Sequence, residues 1–444
     1  MSMPKELKPV TVPFTATPAG EPASVRTWAN RWVWTDRMLA TLETGKVRGG
    51  RWHTLIDKVY DEGNLQSALF RVAGNRGAAG VDHQSVQDFI DHSEEELTRL
   101  GETLRTDAYR PQAVRRVLIP KPGSREKRPL GIPTVRDRLV QAALLAVLEP
   151  IFDITFAEHS YGFRQGRGCH HALERLETLL TAGYVHVVDA DLKSYFDTIP
   201  HDRLMDRVGE KVSDSRVLRL VEMFLEQGVM EDLQTWTPEA GTPQGAVISP
   251  LLANLYLNPL DHLVAAAGFQ MIRYADDFVI LCRTPEEAQA ALELVERWVA
   301  ENGLSLHPTK TKLVDARTDG FDFLGYHFRG RLRLPRAKSL KKLKDTVRAK
   351  TRRKHGESLP TICAKLRPTL QGWFTYFRHC HWTVYRDLDG WIRMRLRSIL
   401  RKRAGRRGRG RGLDHRRWPN RFFAEHGLYS LSNAHARFAN PPRG

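Results

Sequence analysis

The sequence predicts an α+β fold in which helices pack on one face of a sheet. Three observations point there. Tyr184-Val-His-Val-Val-Asp-Ala-Asp-Leu192 reads as a buried strand ending in carboxylates. Met271-Ile-Arg-Tyr-Ala-Asp-Asp-Phe-Val-Ile-Leu281 reads as two short strands meeting at an aspartate pair, a hairpin. The segments around them carry the longer apolar periodicity of helices.

Taken in order, residues 1–27 are rich in Pro, Thr and Ala and are expected to form a disordered leader. From 28 to 110 the pattern is mostly helical, interrupted by a flexible loop at Asn75-Arg-Gly-Ala-Ala-Gly-Val-Asp82. Pro120-Lys-Pro-Gly-Ser-Arg-Glu-Lys-Arg-Pro129 reads as a β-turn between two short extended segments. Helices are expected over 136–152, 204–227 and 249–267. Thr284-Pro-Glu-Glu287 is a capping box with Pro at the first helical position. Apolar residues then recur at Ala288, Ala291, Leu292, Val295, Trp298 and Val299, and Gly303 supplies a stop before a strand at 304–306. The Arg/Gly run over 401–411 is of low complexity and is expected to stay flexible until it meets a partner.

At 444 residues the chain is long enough for two or three domains. It has no apolar run of membrane-spanning length and no signal-peptide core near its start, so a cytosolic location with no membrane partner is expected. Four scattered cysteines (Cys169, Cys282, Cys363, Cys380) argue against a disulfide framework or a Cys-rich zinc site. The net charge of +18 is unevenly placed: residues 331–417 hold 28 Lys/Arg against five Asp/Glu, a local excess of +23 that leaves the remainder near −5. A basic C-terminal third beside a near-neutral body is the electrostatic footprint of a protein that binds a polyanion.

Two strands deliver carboxylates, Asp189 and Asp191 from one, Asp276 and Asp277 from the hairpin. If those strands are neighbours, three or four carboxylates share a small volume, and like charges that close need a cation. Few, hard oxygen ligands with room left for water and phosphates suit Mg²⁺, with Mn²⁺ an acceptable substitute. Two such ions about 3.5–4 Å apart would activate a 3′-hydroxyl and stabilise departing pyrophosphate. Asp189 and Asp197 fit better as caps of the strand and the following helix. Adjacent strand residues point to opposite faces, so Asp276 and Asp277 are unequal as partners of Asp191.

Tyr274-Ala-Asp-Asp277, with Asp191-Leu-Lys-Ser-Tyr-Phe-Asp197 about 80 residues earlier, resembles the palm of a reverse transcriptase. Further blocks narrow the resemblance to the group II intron type. They are Arg128-Pro-Leu-Gly-Ile-Pro-Thr134, Ser160-Tyr-Gly-Phe-Arg164, Gly241-Thr-Pro-Gln-Gly-Ala-Val-Ile-Ser-Pro-Leu-Leu-Ala-Asn254 and Phe321-Asp-Phe-Leu-Gly325. They stand in the family's order, and the resemblance covers roughly residues 60 to 435. It implies a right-hand polymerase: an N-terminal extension and start of the fingers over 28–110, fingers and palm with an antiparallel sheet over 111–330, a helical thumb/maturase domain over 331–405, and a basic nucleic-acid-binding tail over 406–444. Ala246 and Gln165 depart from the usual Gly and Pro; neither is a ligand.

Carried over by match, Asp191, Asp276 and Asp277 are the catalytic and Mg²⁺-binding aspartates, Asp191 and Asp276 resembling the two that bridge the metals and Asp277 the auxiliary one. Phe196 takes the sugar-gate position that selects dNTPs, and Gln244 contacts the incoming nucleotide. Lys121 and Arg128 flank the turn that grips triphosphate oxygens, and Lys310, with Lys312 as the alternative, is the palm lysine beside the leaving pyrophosphate. In the basic third, Arg348, Arg352, Arg353, Lys354, Arg393 and Arg397 are the expected RNA contacts, whereas Trp373, Phe374 and Phe377 recur at helical spacing and are expected in the core. The partners implied are template and intron RNA, a DNA primer or target (with nucleoid association when bound to it) and dNTPs. The His/Cys endonuclease module of some relatives is absent from the sequence. Two other readings stay open: the same fold serving host defence or repair without an intron, and a non-catalytic RNA-binding splicing factor.

Overall fold

The computed structural model describes residues 25–120, 127–231, 234–237, 240–242, 245–330, 332–354, 356–406, 408–410 and 412–440. The chain divides into two compact units, 1–313 and 314–444.

The first unit opens with short helices that bury Leu65, Leu69 and Val72 from helix Glu62–Gly74 against helix Val135–Asp153. Helix Val135–Asp153 is buried almost all round, and Thr134 caps it by accepting from Asp137 N–H at 3.1 Å. The loop over 75–82 is not left free. Arg138 Nη2 donates to the Ala78 carbonyl at 2.7 Å, and a Cβ on Gly80 would stand 2.6 Å from Thr134 Cα.

Strands β1 (Val114–Pro120) and β2 (Lys127–Ile132) pair antiparallel, so the extended segments around the expected turn are present. The turn itself, with Lys121, lies outside the described residues. Strand β3 (His186–Asp191) belongs to a second sheet, whereas β4 (Val229–Glu231) pairs with β1 and with β5 (Gln234–Trp236). Strands β6 (Gln270–Tyr274) and β7 (Asp277–Cys282) form the expected hairpin, and the order β6, β7, β3 makes an antiparallel sheet core. Helices Cys169–Thr181, Ser249–Ala266 and Pro285–Glu301 pack against these strands. Residues of β7 from Phe278 to Cys282 are all at most 1% exposed, so this strand is covered on both faces, not one.

Three local expectations change. The helix expected over 204–227 is two, His201–Gly209 and Ser215–Leu225. Asp214 starts the second by accepting from Arg216 and Val217 N–H, and its other oxygen takes the N–H groups of Leu55 and Ile56 at 2.8 and 2.9 Å. Thr284 does cap helix Pro285–Glu301, but the Glu287 carboxylate reaches back to Arg283 N–H at 2.8 Å. Residues 304–306 form a single bridge between Leu306 and Leu192; the strand that follows is β8 (Lys312–Asp315), in which the chain passes to the second unit.

In the second unit β9 (Phe321–Phe323), β10 (Tyr326–Arg329) and β11 (Leu332–Pro335) form an antiparallel meander. Helices Ala337–Lys350, Leu359–Phe377, Trp382–Arg403 and Leu431–Ala439 follow. Their core is aromatic. Phe377 stacks on Trp373 at 4.8 Å and lies 5.1 Å from Tyr326, and Tyr385 O–H donates to the Phe377 carbonyl at 2.6 Å. The helically spaced aromatics are core residues, as their period implied. The Arg/Gly run is partly anchored: Arg401 donates to the buried Asp414 carboxylate at 2.5 Å, and Gly410 is buried beside Arg397. Among the described residues no helix is long and apolar enough to cross a membrane.

Candidate active site

The register of β3 and β7 sets Asp191 directly opposite Asp277. Residues opposed in this way leave the same face of a sheet, with Cβ atoms about 5 Å apart. Asp276 occupies the turn between β6 and β7, after Ala275 with φ +60°. All three carboxylates are half-buried. In this register Asp277 stands across from Asp191, and Asp276 stands in the turn beside it. Among the described residues no three His, Cys, Asp or Glu side chains are gathered as a ready metal cage.

The positive charge next to Asp191 is Lys310, whose Nζ donates to Asp191 Oδ2. Backbone pairing brings it there. Lys193 N–H donates to the Ser305 carbonyl at 2.9 Å and His307 N–H to the Asp191 carbonyl at 2.7 Å, which lays the 305–310 segment along the end of β3. Lys310 and Lys312 are both exposed, and what sets Lys310 apart is its ion pair with Asp191.

The aspartate turn rests on a buried polar frame. Arg273, 0% exposed, donates through Nε and Nη2 to the two Asp261 oxygens at 2.8 and 2.5 Å. Its Nη1 donates to Asn254 Oδ1 and to the Ala275 carbonyl, both at 2.8 Å. Asn254 in turn donates to the Gly162 carbonyl at 2.7 Å. Burial by itself would lower the guanidinium pKa; the Asp261 carboxylate and its hydrogen bonds, with smaller help from Tyr195 and Asp276, outweigh that and raise it. Arg273 is thus a fixed charge whose fork holds the carbonyl of the left-handed residue just before Asp276.

The Ser160-Tyr-Gly-Phe-Arg164 block supplies the other side of the frame. Tyr161 N–H donates to the Arg273 carbonyl and Arg273 N–H to the His159 carbonyl, both at 2.9 Å. A Cβ on Gly162 would stand 2.3 Å from the Ala275 nitrogen, so this position needs glycine for backbone to meet backbone. Arg164 is tied to Asp153 at 2.7 Å and to the Ala157 and Ser160 carbonyls, which holds the loop from its far end. Tyr195 is buried, which pushes its hydroxyl pKa well up, and it donates to the Ala253 carbonyl at 2.6 Å.

Phe196 follows β3 on the short helix Tyr195–Thr198, half-buried and edge-on to Tyr195 at 5.6 Å. Its backbone is clamped by the Gly-Thr-Pro-Gln-Gly loop: Thr242 N–H donates to the Phe196 carbonyl at 2.6 Å, and a Cβ on Gly241 (φ +94°) would stand 2.7 Å from that oxygen. Gly245 at the other end of the loop lies against Gly131 of β2, where a Cβ would be 2.4 Å from the Gly131 carbonyl oxygen. Gly241 and Thr242 thus meet the Phe196 turn, and Gly245 meets the Arg128-Pro-Leu-Gly strand. Arg128 is on β2, its side chain outside the described residues, and Gln244 lies outside them altogether.

The expected RNA contacts separate into two groups. Arg352, Arg353 and Lys354 are exposed, and Arg348 is exposed while paired with Asp345 at 2.6 Å. Arg393 is only 20% exposed in its side chain, 4.0 Å from buried Asp389. Arg397 is 3% exposed, with Nε on the Trp418 carbonyl at 3.0 Å and Nη2 on Asn420 Oδ1 at 2.9 Å. The expectation that Arg397 contacts RNA is therefore corrected: its guanidinium is committed inside the unit. Arg397→Ala is expected to cost about 1–3 kcal/mol in urea unfolding, by orphaning the buried Trp418 carbonyl and losing the bond to Asn420, and to leave the salt dependence of RNA binding unchanged.

Sequence reasoning missed Arg273, Asp261 and Asn254. A signal was present, because an arginine inside the apolar run Met271-Ile-Arg-Tyr needs a buried partner as much as the aspartates do.

A sheet that presents opposed aspartates beside a fixed hairpin turn, with a lysine on one of them, defines the class as a palm-type nucleic-acid polymerase domain. Comparison with known proteins agrees. Residues 119–328 match the family described as reverse transcriptase (RNA-dependent DNA polymerase), and residues 340–418 the group II intron, maturase-specific domain. The chain belongs to the group II intron reverse transcriptase/maturase family. It is similar to the group II intron-encoded protein LtrA of Lactococcus lactis subsp. cremoris, at 39% identity over 214 residues, which covers 48% of this chain and 34% of that one. It is also similar to protein YkfC of Escherichia coli (strain K12), at 36% identity over 270 residues, 52% of this chain and 70% of that one. The chain thus spans about a third of the length of LtrA. Among solved structures it is similar to a chain of a partial Cas6-RT-Cas1–Cas2 complex, with TM-score 0.35, 25% identity, and coverage of 56% of this chain and 42% of that one.

Proposed function

We propose that this chain is an RNA-directed DNA polymerase that adds dNTPs to a primer 3′-hydroxyl on an RNA template and also binds group II intron RNA as a maturase. The observation that carries the polymerase reading is the opposition of Asp191 and Asp277 beside the turn that bears Asp276. In this reading the fingers and palm run over 111–330, the thumb and maturase domain over 331–405, and a basic tail over 406–444.

The donor set fits divalent cations: three half-buried carboxylates offer hard oxygens, and Lys310 already supplies positive charge at Asp191. Asp191, Asp276 and Asp277 would hold two Mg²⁺ ions, which when bound supply Lewis-acid stabilisation of the attacking and leaving oxygens. The chain's own residues do the rest. Arg273 fixes the turn, so the carboxylates need no reorganisation when substrate arrives. Lys310 places a positive charge where pyrophosphate departs. Lys121, Arg128 and Gln244 would orient the triphosphate and base.

Phe196 would exclude a 2′-hydroxyl because its ring is braced by Tyr195 and its backbone by Thr242. Phe196→Ala is expected to admit ribonucleotides, raising kcat/KM for a rNTP relative to the matching dNTP by about tenfold or more, the size of one lost steric contact. Unchanged discrimination in single-nucleotide extension removes Phe196 from the gate. The polymerase reading is tested by primer extension on RNA with Mg²⁺ and dNTPs, in which the Asp191→Ala chain is expected to be inactive. Equal extension by parent and variant refutes it.

A further inference from the structure

Helices Glu62–Gly74 and Ser93–Arg105 pack together in the first unit and leave an open groove of about 810 Å³. Its apolar lining is Leu65 and Leu69, both buried, with Phe70 and Leu97, both half-buried. Exposed Glu62, Glu94 and Glu102 line it as well. Against them stands one cation, Arg105, which is already paired with Glu102.

This is the acidic part of a basic protein. Residues 81–107 hold eight Asp/Glu against two Lys/Arg, a local net of −6, so this stretch alone accounts for the negative balance outside the basic third. An acid in the first turn of a helix is favoured by the dipole, which explains Glu62 and Glu94; Glu102 stands in the last turn, where an acid opposes it. Gly101 is a second oddity on the same groove. Glycine inside a helix is weaker than alanine, yet a Cβ here would stand 3.6 Å from Leu65 Cδ1 and 3.9 Å from the Tyr60 carbonyl oxygen, ordinary contact distances. Packing of the two helices therefore does not demand glycine. What it keeps is room for a neighbour to approach its backbone.

We propose that this groove docks a basic amphipathic helix of a partner protein, its apolar side chains against Leu65, Leu69 and Leu97 and its lysines or arginines on Glu62, Glu94 and Glu102. An apolar groove between two helices takes a third helix by its apolar stripe, and the acids select one whose flanks are cationic. The same acids repel nucleic acid and anionic lipid. Two basic segments of a second copy do not fit. Helix Ala337–Lys350 has Leu343 and Val347 buried inside its own unit, and the Arg/Gly run over 401–411 has no large apolar side chain. The proposal goes beyond the polymerase reading, because it needs no intact carboxylate site.

The test is fluorescence anisotropy of the full chain with a labelled synthetic peptide of about 18 residues, five turns at about 3.6 residues per turn, built of Leu, Ala and Lys with leucines at i, i+3, i+4 and i+7. A scrambled peptide of the same composition keeps the charge and loses the apolar stripe. The patterned peptide is expected to bind about tenfold or more tightly than the scrambled one. Glu94→Lys combined with Glu102→Lys should weaken it about tenfold or more, and Gly101→Leu, which fills the groove, by a similar factor. Gly101→Ala should raise the urea midpoint, as a better helix former, while weakening the peptide, an opposition that a purely structural glycine would not show. The proposal is wrong if the two peptides bind alike, since charge alone then accounts for the binding, or if the Gly101→Leu chain binds the patterned peptide as tightly as its parent. It is equally wrong if peptide affinity stays and the variants instead lose self-association in light scattering, which would make a second copy the occupant. Primer extension by these variants is expected at the parent's rate, so the two readings fall separately.

Discussion

Arg273→Ala is expected to destabilise the first unit by about 3–5 kcal/mol, because it leaves the Asp261 carboxylate buried without its partner. Urea unfolding followed by circular dichroism reads this directly. The same variant should lose primer extension, since the Ala275 carbonyl loses its donor and the turn before Asp276 loses its brace. Stability and activity can then be separated. A paired Arg273→Met and Asp261→Leu replacement removes both charges and is expected to recover most of the stability, as apolar substitutes for buried ion pairs often do. It should not recover extension, because no donor faces Ala275. Recovery of both would make Arg273 a structural residue with no part in positioning the turn.

Asp276→Asn is expected to reduce the single-turnover rate of nucleotide addition by about 10³-fold or more, while the chain folds as before. The change keeps the shape and removes one charge from a site meant to hold cations, where several kcal/mol of transition-state stabilisation are at stake and each 1.4 kcal/mol is about tenfold. Asp191→Asn should match it and also release Lys310 from its ion pair. The affinity for an RNA–DNA primer-template is expected to change little, because the proposed oligonucleotide contacts are cations outside the carboxylate site. Rates within tenfold of the parent would show that these carboxylates do not carry the reaction.

Much of this was legible in the sequence where one residue type has one physical use. Asp276 and Asp277 inside an apolar run announced a hairpin end, and β6 and β7 meet there. The capping signal at Thr284 placed the start of helix Pro285–Glu301, although its glutamate bonds one residue further back. What stayed hidden depends on neighbours distant in sequence. Gly245 could be read as a place of close backbone approach, but not Gly162 or Gly241, nor could the strand or turn that each one meets. Arg397 looked like its exposed neighbours, because burial on a basic helix is decided by which side meets Trp418 and Asn420. The break between helices His201–Gly209 and Ser215–Leu225 turned on Asp214, whose second pair of bonds reaches Leu55 and Ile56. Alternation could say that Asp276 and Asp277 differ as neighbours of Asp191, but only the register shows Asp277 across from it and Asp276 in the turn.

The measurement that bears most directly on the central claim is single-nucleotide addition to a DNA primer on an RNA template of defined sequence. The parent chain is expected to add the dNTP complementary to the template base, chelation of Mg²⁺ to stop it, and the Asp191→Asn and Asp276→Asn chains to bind the same primer-template without extending it. Addition that proceeds at the parent rate in either variant would contradict the claim.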